Sequence, residues 1–89
     1  MSNVFIAFQN NEEARPLVEA IMTDNPAAVV VHSPGLVKID APNCLQILRA
    51  TIEAQTGRPY DLQQLHLSLV TISGHVDEDE DQFSLSWNH

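Results

Sequence analysis

Val4-Phe5-Ile6-Ala7-Phe8-Gln9-Asn10-Asn11 opens the stretch that decides the fold, which continues to Ile39 and reads as strand, helix, strand, strand. Val4 to Phe8 is an unbroken apolar run. It is too short for a globular helix and rich in strand formers, so it predicts a strand with a buried side. Gln9-Asn10-Asn11 ends the run and supplies candidate caps. Ala14, Leu17, Val18, Ile21 and Met22 then fall at i, i+3, i+4, i+7 and i+8. That spacing is one face of a helix, with Glu12, Glu13, Arg15 and Glu19 left to the water. Pro16 is tolerated only in a first turn, so either the regular helix begins near Arg15 or residues 12–15 form a looser lead-in. The helix must stop before Pro26, and Asp24-Asn25 is its exit. Ala28 to His32 predicts a second strand, Ser33-Pro34-Gly35 a turn, and Leu36 to Asp40 a third strand paired across it.

After Ala41-Pro42-Asn43 the pattern returns in weaker form. Cys44 to Arg49 reads as a short strand, although a helix start is also compatible. Thr51 is a candidate cap for a helix through Ile52 to Gln55, with Gly57 as its stop. Arg58-Pro59-Tyr60 connects onward, and Asp61 can cap a brief turn through Gln64. Leu65 to Ser73 alternates, which predicts a strand with Leu65, Leu67, Leu69, Thr71 and Ser73 on one side. His66, Ser68, Val70 and Ile72 would occupy the other. An acidic loop, Asp77 to Asp81, separates it from a last strand, Phe83 to Trp87, whose alternation favours a core position for Trp87 over an exposed one. The expected architecture is α+β, with two β-α-β-β units over about 4–40 and 44–87 in one domain, 1–89, forming sheets with helices packed on one face. The likeness between the halves is one of topology; no residue-level repeat accompanies it.

At 89 residues the chain buries only roughly 60% of its unfolded surface, enough for one thin core and no deep pocket. Twelve acids face four bases, Arg15, Lys38, Arg49 and Arg58, for a net charge of −8. Such a surface repels nucleic-acid phosphates and anionic lipid, and favours a protein partner with a basic rim. Cys44 is the single cysteine, which rules out an internal disulfide or a thiolate cluster. No signal-peptide pattern opens the chain and no apolar run approaches a membrane span, so a soluble cytoplasmic protein is expected.

Catalytic and metal motifs find little support. His32, His66, His75 and His89 show neither i, i+4 pairing nor HExxH spacing. Read as a calcium loop, Asp77-Glu78-Asp79-Glu80-Asp81 fails at the sixth position, Gln82, which should be glycine, and at the twelfth, Asn88, which should be a bidentate glutamate. Five adjacent like charges read instead as a solvated hairpin tip that discourages edge-to-edge association, with docking to a basic partner as the functional alternative. No phosphate-binding glycine loop and no nucleophile elbow occurs. An enzyme acting alone is therefore not expected.

Four blocks carry a resemblance: Phe8-Gln9-Asn10-Asn11-Glu12-Glu13-Ala14-Arg15-Pro16-Leu17-Val18-Glu19-Ala20-Ile21, Asp24-Asn25-Pro26, Val37-Lys38-Ile39-Asp40-Ala41, and Gly74-His75-Val76-Asp77-Glu78-Asp79-Glu80-Asp81-Gln82-Phe83. In order and spacing over nearly the whole chain they resemble the regulatory, or effector, proteins of bacterial multicomponent phenol hydroxylases. Those belong with the regulatory proteins of toluene and methane monooxygenases. The first strand begins at Val4, without the long N-terminal tail of the methane-oxidising relatives, so no tail-dependent behaviour is carried over. The resemblance implies a sandwich of two β-α-β-β units and a cofactor-free protein that binds a diiron hydroxylase. It also implies a functional link to that enzyme's reductase, since reduction, oxygen activation and phenol hydroxylation would be coupled. No residue here suggests a holder for flavin, haem or an iron–sulfur cluster. The expected interface combines the polar face and lead-in of the first helix (Gln9, Asn10, Asn11, Glu12, Arg15 and Glu19) with Ser68, Val70 and Ile72 of the adjoining strand. Asp77 and Asp79 of the acidic loop would add steering. By residue type alone, Asn10 and Asn11 read as turn and cap. The alternative function is a stand-alone binding module, for an aromatic ligand or an acidic protein-interaction surface.

Overall fold

The computed structural model describes residues 3–87; His89 and Asn88 lie outside them. The first unit comprises β1 (Asn3–Gln9), α1 (Ala14–Asp24), β2 (Val29–Ser33) and β3 (Leu36–Pro42). The second half comprises β4 (Cys44–Leu48), α2 (Arg49–Thr56), a 3-10 turn (Leu62–Gln64), α3 (Leu65–Ser68), β5 (Leu69–Ser73), β6 (His75–Glu78) and β7 (Gln82–Ser86). All strand pairs are antiparallel, in one sheet of order β2-β3-β1-β5 and another of order β4-β7-β6. The two halves share a wiring. In the first, β1 pairs with β3 and β3 with β2; in the second, β4 pairs with β7 and β7 with β6. A helix follows the first strand each time. β5 is the addition: it leaves the second half and pairs with the other edge of β1.

The core follows from the two periodicities. Val4, Ile6 and Phe8 alternate inward from β1 and are fully buried beside Ile39 of β3 and Leu45, Ile47 and Leu85 of the second sheet. α1 buries Ala14, Leu17, Ala20 and Ile21 against them, with Val18 and Met22 half covered. It lies against α2 and β4. Pro16 is the third residue of α1. There its missing N–H would have had no intrahelical partner, and the carbonyl four residues back lies before the helix.

Several expectations need correction. α2 begins at Arg49, with Leu48 at the cap position and no side-chain cap, where the sequence placed a capping Thr51. The Arg49 N–H instead donates to the Asp81 carbonyl at 2.9 Å, a tertiary substitute for a cap. Leu65 to Ser68 is a helical turn, and the strand starts only at Leu69. Leu62, Leu65 and Ser68 are buried at three-residue spacing while Leu67 is 80% exposed, so the apparent alternation hid a period near three. Ser68, Val70 and Ile72 consequently share no face: Ser68 is buried, Val70 is exposed and Ile72 packs on the core. The acidic segment is half strand, since β6 runs through Glu78. Trp87 is exposed rather than in the core; its indole Nε1–H donates to the Asn3 carbonyl at 2.8 Å. Asp61 does cap the 3-10 turn, its carboxylate accepting from Gln63 N–H at 3.0 Å, and Gly57 ends α2 at φ 75°.

Candidate partner-binding surface

The surface expected to meet a partner starts where β1 gives way to α1. Asn11 folds the chain back: its N–H donates to the Gln9 carbonyl at 3.0 Å, and its side-chain Oδ1 accepts from the Ala14 N–H at 3.0 Å. Asn10 N–H donates to the carbonyl of Gly35 in the β2–β3 turn at 3.2 Å. Asn11 thus does turn and cap work, while Asn10 ties the lead-in to the neighbouring hairpin. Gln9, Glu12, Arg15 and Glu19 are exposed around it. Arg15 meets Glu12 at 3.5 Å, and Glu19 accepts from Gln55 Nε2 of α2 at 2.9 Å.

Three shallow depressions surround α1 and the second half. One, about 460 Å³, lies between α1 and the β2–β3 hairpin, floored by Ala14, Val18 and Val37 and rimmed by Asn10, Arg15, Glu19 and His32. Another, about 580 Å³, lies on the other flank of α1, where Glu12 and Pro16 face Ile52, Tyr60, Leu67 and Ser68. The register pairs Phe8 with Leu69, which brings Gln9 and the start of β5, and hence Val70, to the same end of the sheet. A third, about 810 Å³, runs from Arg49 and Glu53 past Tyr60 to Glu78, Asp79 and Glu80. Asp79 is committed locally: its Oδ1 accepts from the N–H groups of Asp81 and Gln82 at 2.8 and 2.9 Å, building the hairpin tip. Asp77 is exposed on β6 opposite Ser84. The structure therefore gathers Gln9, Asn10, Asn11, Glu12, Arg15, Ser68 and Val70 about one end of β1, with Glu19 farther along α1. Asp77 and Asp79 belong to the separate β6–β7 hairpin.

His32, Leu67 and Tyr60 also line these depressions, although the sequence pattern gave them no place in the interface. The cue for Leu67 was the three-residue spacing of Leu62, Leu65 and Ser68; His32 needed the strand register. Tyr60 lies half buried between two of the depressions, and burial first, then the carboxylates of Asp61 and Glu13, push its phenol up to about 12. It therefore stays a neutral hydrogen-bond donor at physiological pH. Among the described residues, no three His, Cys, Asp or Glu side chains are grouped to hold a metal ion. No helix among them is long and apolar enough to cross a membrane.

Residues 2–86 match the model of the MmoB/DmpM family. The chain belongs to that family. Over 88 residues, 99% of this chain and 98% of the relative, it is 49% identical to the phenol 2-monooxygenase stimulatory component DmpM of Pseudomonas sp. (strain CF600). Its backbone matches a chain from the structure of a phenol hydroxylase–regulatory protein complex with a TM-score of 0.94 at 45% identity, covering 98% of this chain and 100% of that one. It also matches the soluble methane monooxygenase regulatory protein B at a TM-score of 0.75 and 16% identity, over 97% of this chain and 65% of that one. At that identity the likeness is one of fold.

Proposed function

We propose that this chain is the regulatory component of a multicomponent phenol hydroxylase: it binds the diiron hydroxylase, supplies no reactive group, and promotes coupled oxygen activation and phenol hydroxylation. The observation that carries this reading is 49% identity along essentially the full length to a phenol monooxygenase stimulatory component. It acts as one unit, in the cytoplasm, beside the hydroxylase and its reductase. Such a protein can change another enzyme's chemistry only by binding one of its conformations more tightly than another. The linkage is reciprocal, so whatever substrate or redox state the protein favours must in turn favour its binding. A tenfold effect needs only about 1.4 kcal/mol of difference.

The interface we place at the α1 lead-in and the neighbouring start of β5, with Gln9, Asn10, Asn11, Glu12, Arg15, Glu19 and Val70 in contact and Ser68 beneath them. Ile72 supports the strand from the core side. Asp77 and Asp79 contribute to the approach through their field more than through contact. Steady-state phenol oxidation by the hydroxylase and its reductase, titrated with this protein, tests the function. Rate or coupling should rise and then level off; phenol consumed as fast and as cleanly without it would end the proposal.

A further inference from the structure

The groove between α1 and the β2–β3 hairpin is less acidic than the surface around it, with Arg15 and His32 on its rim against one acid, Glu19. Twelve acids and four bases are spread over the molecule, yet here Arg15 and His32 rim a floor of Ala14, Val18 and Val37. The register explains why His32 is present: it pairs with Val37, whose side chain is buried, so both lie on the helix side of the sheet. Of the other three bases, Arg58 lines the depression on the opposite flank of α1 and two are already engaged. Lys38 is 3.7 Å from Asp40 and lies 4.3 Å from the centre of the Phe5 ring, and Arg49 holds Asp81 at 2.8 Å. Arg15 meets Glu12 at 3.5 Å with the two side chains 68% and 87% exposed, a pair that contributes little in water and exchanges readily. Glu19, the acid on the rim, is drawn to α2 by Gln55.

Resting on the hydroxylase reading, the geometry points to this groove as the seat of one aspartate or glutamate side chain of the hydroxylase, held between the Arg15 guanidinium and the His32 imidazole. The guanidinium offers a planar fork of donors matched to a carboxylate, and the imidazole supplies a further N–H. Val18 and Val37 give an apolar floor that receives the partner's methylenes. Asn10 ties the helix lead-in to the hairpin turn at Gly35, so the two rims are held at a set spacing before the partner arrives. On a surface of net charge −8, a uniformly basic partner could slide; one pair of inverted polarity fixes the register.

Hydroxylase affinity of the wild type, His32→Ala, Arg15→Ala and the double variant tests this, with thermal midpoints measured in parallel. Each single change should weaken binding about five- to thirty-fold with an unchanged midpoint. The double variant should lose clearly less than the product of the singles, because both groups hold the same carboxylate. His32→Gln, which keeps a donor, should recover part of the loss. Unchanged affinity in His32→Ala, or losses that simply multiply, overturns the groove proposal while wild-type stimulation leaves the regulatory role standing. A shift of the His32 imidazole NMR signals by free phenol alone would overturn it in favour of a small-ligand site. If the wild type neither binds nor stimulates the hydroxylase, the functional reading fails first and the groove proposal with it.

Discussion

Asn25 joins the two halves with a single amide. Its Nδ2 donates to the Ile21 carbonyl at the end of α1 and to the Gln46 carbonyl of β4, at 2.7 and 2.6 Å, while its Oδ1 accepts from the Gln46 N–H at 2.9 Å. One side chain thus closes a helix end and occupies the free edge of β4. Asn25→Ala should lower unfolding stability by about 1–3 kcal/mol, read from the denaturant midpoint. Asn25→Asp should not rescue it, since a carboxylate has no donor for the two carbonyls. Asn25 was legible as a helix exit, but its partner lies 21 positions away and no local pattern announces it. Gly74 carries a comparable constraint. It sits at φ 143° where the chain passes from β5 to β6, and a Cβ there would come within 3.0 Å of Val4 Cγ1. Gly74→Ala should destabilise by about 1–3 kcal/mol, seen as a lower thermal midpoint. Tyr60 gives a pH signature. Its folded value of about 12 lies above the ordinary 10.0, so its contribution to stability is complete below pH 10 and is lost as pH rises toward 12. As the chain's one tyrosine, its phenolate absorbance in an alkaline titration reports this directly. A native-state midpoint at the ordinary tyrosine value would contradict it.

At the scale of elements, the segment from Leu62 to Ser73 separates local pattern from tertiary choice. Alternating leucines at Leu65, Leu67 and Leu69 suggested a strand. The chain instead makes a 3-10 turn and a helical turn first, because Asp61 caps the turn and Leu62 and Leu65 both reach the core. Leu65→Ala should therefore cost about 2–5 kcal/mol, whereas Leu67→Ser should change stability by less than about 0.5 kcal/mol. Equal losses at the two positions in chemical denaturation would favour the strand reading. α1 was legible almost whole, from its apolar face to its exit, because helix amphipathicity and proline placement are local signals. The start of α2 was not, because its first N–H is satisfied by Asp81, a residue on a distant hairpin. The candidate interface divides the same way. Its helix half was visible in the polar face of α1, while His32 entered through a strand register that the sequence does not state.

For the whole molecule, a net charge of −8 acts at long range and concentrates at the β6–β7 hairpin. Asp79 shapes the tip through its hydrogen bonds, whereas Asp77 and Glu80 are exposed. Replacing Asp77 and Glu80 by their amides should slow association with the hydroxylase and flatten its salt dependence, leaving dissociation nearly unchanged. Stopped-flow binding at several ionic strengths checks this; a faster dissociation with unaltered association would place the hairpin in direct contact. The architecture allows such a division of labour, because the hairpin belongs to the three-stranded sheet and the α1 lead-in to the four-stranded one.

Composition and local periodicity alone determined the α+β class, the strand-helix-strand-strand order of the first half and the acidic surface, since each follows from neighbours a few positions apart; in the second half they hid β6 inside an apparent acidic loop. The resemblance in order and spacing of four blocks supplied the family. Tertiary structure decided where β5 goes, how Leu65 to Ser68 folds, that Trp87 faces solvent, and which residues face Arg15 across a groove. Those outcomes depend on partners remote in sequence, on strand register and on competition for a single small core, and none of these is written in any short window of the chain.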